Sequence, residues 1–165
     1  MEKIHFAAMS GDLTEIFHIL KTTKEPGKIL RRTTRGGLTP MHLVSKYGHL
    51  EGLKMFLENQ GDPLVEDSKG RLPIHYACRY GHCDVVDLLL DTASKLIESK
   101  DKHFGQTPVH FAAAGGHDEV ILLLLKRGAK ADSFSFAAET PADIADFYEH
   151  KTLAQRLRKL TSSSE

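Results

Sequence analysis

Three segments of the chain carry apolar residues at the spacing of an α-helix. They are 50–57, 85–90 and 120–125, where leucine, valine, isoleucine and phenylalanine recur on one side of a helical turn. Each segment is more apolar than a helix with one face in water requires, which predicts that neighbouring structure covers it on two sides. A shorter helix is predicted before each segment. A glycine-histidine pair, suited to left-handed backbone at a helix end, separates the two helices.

The shorter helices begin at prolines that recur at a nearly constant interval. Pro40, Pro73, Pro108 and Pro141 lie 33, 35 and 33 residues apart, and threonine precedes three of them. Proline suits the first turn of a helix, and a threonine hydroxyl can cap that turn. A period in this range indicates a stack of helix-turn-helix units, which presents a long side surface to other molecules. The predicted first helices are 41–47, 74–80, 109–115 and 142–148.

The sequence around these prolines resembles the ankyrin repeat. The residues that carry the resemblance are Asp67-Ser68-Lys69-Gly70-Arg71-Leu72-Pro73-Ile74-His75-Tyr76-Ala77, and Gly105 to Ala113 with Gly116-His117 and Gly128-Ala129 after it. The resemblance implies an all-α ankyrin-repeat solenoid of about five helix-turn-helix units with short hairpin loops, forming a single domain over residues 2–160. The predicted units are approximately 2–33, 34–66, 67–100, 101–133 and 134–160. Residues 161–165 are predicted to form a frayed, serine-rich tail.

Departures from the repeat predict local distortions of the stack. The segment from Thr22 to Leu38 is four residues longer than the pattern. The third unit has two extra residues before Pro108, so its second helix is predicted to continue through 95–97. Leu72 stands where the resemblance implies a capping threonine.

Composition excludes several classes of function. The net charge is zero, with 22 basic and 22 acidic residues, so no global field attracts nucleic acid or membrane. The apolar runs are too short to span a bilayer, and the N-terminus lacks the apolar core of a signal peptide. The two cysteines, Cys78 and Cys83, are expected to be reduced and buried. We expect a cytoplasmic protein, with a nuclear location as the alternative.

The ten histidines do not by themselves indicate a metal site or acid–base catalysis. Seven occupy two repeat positions, and the resemblance implies that His5, His42, His75 and His110 hydrogen-bond within and between units. A second group, His75, Cys78, His82 and Cys83, contains only zinc-ligand types, but its spacing matches no closed Cys/His pattern. Phosphate-loop, nucleophile-elbow and paired-carboxylate signatures are absent from the sequence. We therefore expect no enzymatic activity, cofactor or metal.

The resemblance also implies where a partner binds. In ankyrin-like stacks, the ends of the first helices and the hairpin tips line a concave face. Basic and aromatic side chains, the types that most often anchor interfaces, are concentrated there. The candidate partner-binding residues are Arg35, Leu38, Lys46, Tyr47, Lys69, Arg71, Arg79, Tyr80, His103, Phe104, Phe136, Phe147 and Tyr148. For Phe134 and Phe136, packing on a neighbouring tip or on Tyr148 is the alternative interpretation.

The favoured hypothesis is a non-enzymatic protein–protein interaction module. It would bind an acidic or amphipathic protein segment on its concave face. The alternative is binding of nucleic acid or anionic lipid through residues 21–46, which hold seven basic residues and one acidic residue, Glu25. A solvated insertion loop explains the same charges more simply, so nucleic acid is the less favoured partner. We expect the protein to be monomeric by itself.

Overall fold

Helices joined by turns make up the chain. The structure is a computed structural model that describes residues 1–162 and contains no β-strand in that range. The helices are α1 Lys3–Ser10, α2 Leu13–Thr22, α3 Pro26–Leu30, α4 Pro40–Tyr47, α5 Leu50–Glu58, α6 Pro73–Tyr80, α7 Cys83–Thr92, α8 Pro108–Gly115, α9 Asp118–Lys126, α10 Pro141–Phe147 and α11 Lys151–Ser162, with a 3₁₀ helix at Ser94–Glu98 between α7 and α8.

The helices stack as two rows. The first helices of the units pack side by side in the order α1, α4, α6, α8 and α10, and the second helices α2, α5, α7 and α9 form a row behind them. The last second helix, α11, packs on α10. Buried apolar residues from both rows form one continuous core, which includes Ile74, Val85 and Leu124. The all-α stack of helix pairs predicted from the period is confirmed.

Each of the four buried histidines joins the start of its own unit to the segment that leads into the next first helix. In the third unit, the Nδ1 of His75 accepts a hydrogen bond from the Leu72 backbone N–H at 2.9 Å, and its Nε2 donates to the Ser99 carbonyl oxygen at 3.0 Å. The cap at Leu72 therefore does not depend on a threonine hydroxyl. His5, His42 and His110 make the same two contacts in their units.

These contacts determine the protonation state of the buried rings. A backbone N–H can only donate and a carbonyl can only accept, so Nδ1 is unprotonated, Nε2 carries the proton and each imidazole is neutral. Burial also lowers the pKa of His42 and His110, and lowers the pKa of His75 to about 4. The resemblance predicted hydrogen bonds within and between units at this position, and the structure has them.

The long connection between the first two units is more ordered than predicted. Its middle forms α3, and Leu30 at the end of α3 is buried in the core. Arg32, two residues later, forms an ion pair with Glu2 and accepts a hydrogen bond at its carbonyl from His5. The basic side chains that precede α4 are exposed, as the interpretation of a solvated segment predicts, but the segment is not simply a loop, because its middle is helical and Leu30 packs against the stack.

The third unit also differs from the prediction. The helix α7 ends at Thr92, the backbone becomes extended at Ala93, and the 3₁₀ helix follows. The predicted continuation of α7 through 95–97 is therefore wrong. The break places Leu96 in the core, where it is almost fully buried.

The end of the described chain is helical. Thr161 and Ser162 belong to the last turn of α11, although the sequence predicts a frayed tail from residue 161; residues 163–165 lie outside the described part. None of the helices in residues 1–162 is long and apolar enough to cross a membrane.

Candidate functional site

The two residues before each helix break form a row along one side of the stack. The first helices pack side by side, so each unit contributes one pair to this row. Histidines from the following unit hold three of the backbone carbonyls: His49, His82 and His117 each donate from Nε2 at 3.0 Å. Their acceptors are the carbonyl oxygens of Met9, Lys46 and Arg79. The pairs are Met9 and Ser10, Lys46 and Tyr47, Arg79 and Tyr80, Ala114 and Gly115, and Phe147 and Tyr148.

The hairpin tips form a second line of side chains beside this row. In the third unit, the Asp67 N–H donates to the Arg71 carbonyl at 2.9 Å, and the Asp67 carboxylate accepts from the N–H groups of Lys69 and Arg71. Neighbouring tips are also linked, since the Phe136 N–H donates to the Phe104 carbonyl at 2.8 Å. These bonds hold the side chains of adjacent tips at defined positions relative to one another.

The tip of the fourth unit, in which the Asp101 N–H bonds to the Gln106 carbonyl, has one residue more than the tip of the third and is closed by one buried carboxylate. Asp101 accepts hydrogen bonds from three backbone N–H groups of its own tip, those of His103, Phe104 and Gln106. The extra residue in this tip is therefore accommodated without an unpaired buried charge.

A groove lies between the row and the tips in the third, fourth and fifth units. It encloses about 210 Å³, and we call it the central groove. Phe111 and Ala114 contribute apolar surface, and Asp101 and Gln106 contribute polar groups. Six of the predicted partner-binding residues line it: Lys69, Arg71, Arg79, Tyr80, Phe104 and Tyr148.

Arg79 crosses the groove from the third unit towards the fifth. Its Nη1 donates to the Ala114 carbonyl oxygen at 2.7 Å, and its guanidinium carbon lies 4.9 Å from the centre of the Tyr148 ring. This reach is possible because the fourth unit has only Ala114 and Gly115 in the row. A guanidinium has five N–H donors, and this hydrogen bond occupies one of them. Arg79 is thus fixed in position and still able to bind an anion.

Arg71 is held by the protein's own carboxylate. Its Nε lies 2.9 Å from Oδ2 of Asp67 and its Nη2 lies 2.8 Å from the same oxygen, while the guanidinium stacks on Tyr76. Tyr76 donates its hydroxyl to Asp67 at 2.6 Å. Burial raises the pKa of Asp67, but the hydrogen bonds from Tyr76, Arg71 and backbone N–H groups outweigh it and lower that pKa. Arg71 therefore contributes less free charge than the sequence suggests.

Three cations beside the groove have no carboxylate partner. Among the described residues, no ion pair involves Lys46, Lys69 or Arg79. The Lys46 ammonium lies 5.3 Å from the Tyr47 ring and 5.4 Å from the Tyr80 ring, at the N-terminal border of the groove. Asp101 also lines the groove, but the basic residues outnumber the acidic ones, so the local field is positive.

Two family comparisons agree on the nature of the stack. A family model of three ankyrin-repeat copies matches residues 4–98, and a model of many ankyrin repeats matches residues 74–125. The chain belongs to the ankyrin-repeat family. Ankyrin repeats are generally protein–protein interaction modules and are typically not enzymes. No curated protein matches this ankyrin-repeat chain.

The remaining predicted site residues of this ankyrin-repeat protein lie outside the central groove. Tyr47 lines an open apolar hollow at the N-terminal end, together with Phe6 and Met9. Arg35 and Leu38 belong to the tip of the second unit, and Lys46 borders the groove. The other outlying residues, all exposed, are His103, Phe136 and Phe147.

Three exposed phenylalanines, Phe134, Phe136 and Phe147, also make local contacts. Phe136 is 67% exposed, yet one edge of its ring covers Gly105 in the neighbouring tip, as the alternative interpretation proposed. Phe134 is also exposed, and its carbonyl accepts a hydrogen bond from Lys100. Phe147 packs edge-on against Tyr148 with ring centres 5.3 Å apart.

Sequence reasoning missed part of the groove's surface. Phe111 lines it but was not among the candidates. Phe111 follows the buried His110 on α8, and the same offset from His75 gives Tyr76, which also lines the groove. That repeat equivalence was the signal that could have identified Phe111.

The zinc-ligand types near α6 do not come together as a site. Both ring nitrogens of His75 are engaged by backbone groups, and the Nε2 of His82 donates to the Lys46 carbonyl. Cys78 is buried, and burial raises the pKa of both cysteine thiols. In residues 1–162, no group of three or more histidine, cysteine or acidic side chains is arranged to hold a metal ion.

The basic segment 21–46 is partly neutralised by local contacts. Lys28 pairs with Glu25 at 2.7 Å, Arg32 pairs with Glu2, and the Lys21 ammonium lies 4.8 Å from the Phe17 ring. The other basic residues, Lys21, Lys24, Arg31, Arg35 and Lys46, are dispersed from the end of α2 to the end of α4.

Proposed function

We propose that this ankyrin-repeat protein is a non-enzymatic interaction module, cytoplasmic or nuclear, that binds an acidic or amphipathic segment of another protein. The central groove and its N-terminal border form the binding face. The observation that carries the proposal is the group of three cations without a carboxylate partner, Lys46, Lys69 and Arg79, beside exposed aromatic rings. A partner's carboxylates would supply the missing anions and accept charge-assisted hydrogen bonds.

The aromatic residues supply the apolar part of the proposed interface. Tyr80, Phe104 and Tyr148 are 47%, 54% and 45% exposed, so each has surface left for a partner to cover. Their backbones belong to helix ends and tips that hydrogen bonds already hold in place. A site ordered before binding loses less conformational entropy when the partner arrives, which favours affinity.

A matched pair of triple variants tests this proposal. The first changes the groove: Lys69→Gln, Arg79→Gln and Tyr80→Ser. The second makes equivalent changes on exposed residues away from the groove: Lys95→Gln, Lys126→Gln and Leu122→Ser. Arg71 is left intact because it holds Asp67.

Proteins captured by each variant from cell extract would be compared by quantitative mass spectrometry, with circular dichroism as the check on folding. We expect the groove variant to lose the partners that the wild type and the second variant retain. An unchanged set of captured proteins for the folded groove variant would contradict the proposed site.

The alternative, binding of nucleic acid or anionic lipid through residues 21–46, has weaker support. Two of its seven basic residues are in ion pairs and Lys46 borders the groove. It predicts steeply salt-dependent association. The protein would be titrated at low ionic strength with a duplex oligonucleotide and with phosphatidylserine vesicles. Absence of binding to both would exclude this alternative function.

A further inference from the structure

We infer that the central groove accepts one bulky apolar side chain of the partner, seated against the ring of Phe111, while a neighbouring carboxylate of the same segment meets the cations at the edge of the groove. This inference rests on the proposed function, because it describes how a partner occupies the same face. It follows from a difference between the third and fourth units at one pair of repeat positions.

In the third unit, the chain covers its own aromatic ring. The guanidinium carbon of Arg71 lies 4.8 Å from the centre of the Tyr76 ring, and Asp67 holds that guanidinium in an ion pair. Tyr76 donates its hydroxyl to the same carboxylate, and only 8% of this residue is exposed. The cation, the ring and the carboxylate thus satisfy one another and leave little of the Tyr76 ring for a partner to cover.

The fourth unit lacks this cover. The backbone hydrogen bond that closes each tip makes Gln106 the counterpart of Arg71. One position after the buried histidine, Phe111 is the counterpart of Tyr76. A neutral amide therefore replaces the guanidinium, and in residues 1–162 no cation stacks on Phe111. The Phe111 ring packs on one side against His75, with ring centres 4.8 Å apart, and it lines the groove while only partly buried.

The room in the groove suits a single side chain. The groove encloses about 210 Å³, whereas pockets for drug-sized ligands usually enclose about 300–1,000 Å³. A cavity of about 150 Å³ with apolar walls is enough to hold a benzene ring. The groove therefore has space for one aromatic ring or one branched aliphatic group. A helix, which is about 10–12 Å across with its side chains, does not fit inside it.

The surroundings favour an apolar group over a second guanidinium. Phe104, which is 54% exposed, adds another aromatic ring to the lining. Lys69 and Arg79 take no part in the ion pairs of the described residues, so they would repel a cation and attract a carboxylate. The Asp101 carboxylate is buried and already accepts hydrogen bonds from three backbone N–H groups of its own tip.

Dipeptides with an acetylated N-terminus and an amidated C-terminus test the inference on the whole chain. The matched probe joins glutamate to phenylalanine. Three comparison probes join glutamate to alanine, glutamate to arginine, and glutamine to phenylalanine, so each changes one feature of the matched probe. Binding at low ionic strength is measured from the shifts of the Gln106 and Phe111 amide resonances in nitrogen–proton correlation spectra.

We expect the matched probe to bind about tenfold more tightly than the glutamate–alanine probe, because its ring leaves water when it packs on Phe111. The glutamine–phenylalanine probe should bind about tenfold more weakly than the matched probe, because it lacks the charge that Lys69 and Arg79 attract. The glutamate–arginine probe should bind no more tightly than the glutamate–alanine probe, because its guanidinium is repelled by the same two cations.

The substitution Gln106→Arg copies the arrangement of the third unit into the fourth. The new guanidinium should cover Phe111 as Arg71 covers Tyr76, so the matched probe should bind about tenfold more weakly. The same substitution adds positive charge to the groove, so the glutamate–alanine probe should bind equally well or more tightly. Gln155→Arg adds the same charge at an exposed position on α11 and should leave both affinities unchanged.

A second variant, Phe111→Ala, removes the ring without adding charge. It should lower the affinity for the matched probe to that for the glutamate–alanine probe, whose own affinity should not change. Alanine follows at the next two positions of α8, so the helix tolerates this residue. Circular dichroism and urea unfolding would establish that each variant is folded before its affinities are compared.

The outcomes separate the inference from the proposed function. Equal affinities for the matched and glutamate–alanine probes, tighter binding of the glutamate–arginine probe, or stronger binding of the matched probe by Gln106→Arg would overturn the inference. Absence of any shift at Gln106 and Phe111 with the matched probe at millimolar concentration would do the same. These results leave the proposed function standing, because the triple groove variant that tests it by capture retains both residues. If that capture is unchanged, the proposed function fails and the inference fails with it.

Discussion

The Nε2 of His82 donates a hydrogen bond to the backbone carbonyl oxygen of Lys46, 3.0 Å away, so a histidine of one repeat holds a candidate binding residue of the repeat before it. His117 holds the carbonyl of Arg79 in the same way. In the fourth repeat the equivalent carbonyl, that of Ala114, accepts instead from the Arg79 guanidinium. The bonds that join the repeats are thus the bonds that position the row of side chains.

The close contact between His82 and Gly48 leads to the first prediction. Gly48 has φ +74°, and a Cβ added there would lie 2.5 Å from Nδ1 of the His82 ring. Gly48→Ala should destabilise the protein by about 3 kcal/mol, of which about 1–2 kcal/mol comes from the left-handed backbone and the rest from displacing the ring. Urea unfolding followed by circular dichroism measures the loss.

Gly128→Ala is the matched control for the backbone contribution. Gly128 has φ +97°, and nothing lies within 4 Å of an added Cβ. We expect a loss of about 1–2 kcal/mol there, from backbone strain alone. Equal losses for the two variants would mean that the histidine does not confine Gly48.

The buried histidines predict a loss of stability in mild acid. The pKa of His75 is lowered from 6.5 to about 4 by burial, so the unfolded chain binds a proton at this site that the folded protein does not. Stability contributed by the neutral ring is full above pH 6.5 and is lost as the pH falls towards 4. A shift of this size corresponds to about 3 kcal/mol at the acid end of that window.

Urea unfolding at several pH values between 7 and 4 measures this dependence. His75→Gln should lower stability at pH 7 and make the pH dependence in this window shallower. His18→Gln, at an exposed histidine, is the control for replacing histidine by glutamine and should change stability at pH 7 by less than about 0.5 kcal/mol. If stability falls with pH as steeply in His75→Gln as in the wild type, the loss of stability in acid does not come from His75. Asp67 contributes mainly below this window, because its pKa is lowered from 3.8 and the stability it contributes is lost as the pH falls through that region.

The repeat pattern predicted the scaffold because each repeated residue acts locally or on the adjacent unit. The helices α4, α6, α8 and α10 begin at the recurring prolines. The first kind of repeated histidine hydrogen-bonds to the neighbouring unit, as the resemblance implies, and the second kind lies at the helix break, where it also contacts the preceding unit. Such contacts recur with the period, and a single sequence reveals them.

The features that the repeat pattern did not predict arise from interactions that occur only once in the stack. Arg79 reaches Tyr148 because the intervening unit has small residues, which is visible only when three units are in place. The sequence indicates Arg71 as a candidate binding residue, although Asp67, four residues earlier, holds its guanidinium in an ion pair. The helix α3 and the 3₁₀ helix at Ser94–Glu98 depend on burying Leu30 and Leu96, and no repeated neighbour indicates either.

Arg71 and Lys69 belong to one tip, but substitutions at the two should have different effects. Arg71→Gln removes the cation beside the buried Asp67 carboxylate and should destabilise the fold by about 3 kcal/mol. Lys69→Gln removes an exposed cation outside the ion pairs of the described residues, and should change stability by less than about 0.5 kcal/mol. Urea unfolding at pH 7 compares them.

A double variant provides a further check that Arg71 stabilises the fold by neutralising Asp67. With Asp67→Asn in the background, Arg71→Gln should have a much smaller effect, because the charge that Arg71 neutralises has already been removed. An additive loss in the double variant would show that Arg71 stabilises the fold through other contacts.

Ser45 on α4 predicts a substitution that stabilises the protein. Its side chain is fully buried. Its hydroxyl oxygen is the only buried side-chain polar atom in residues 1–162 that lacks a hydrogen-bond partner. The equivalent residue in the next two units is Cys78 or Ala113, so a small apolar side chain fits the position. Ser45→Ala removes the unpaired hydroxyl and should raise the free energy of unfolding by about 1–2 kcal/mol.

Ser10→Ala is the matched control for helix propensity. Ser10 is exposed near the end of α1, and its hydroxyl donates to the carbonyls of Phe6 and Ala7. The propensity gained there is offset by the lost hydrogen bonds, so we expect a change of less than about 0.5 kcal/mol. If Ser45→Ala were neutral or destabilising by urea unfolding, the Ser45 hydroxyl must have a partner in solution, and an ordered water inside the stack would be the group to seek.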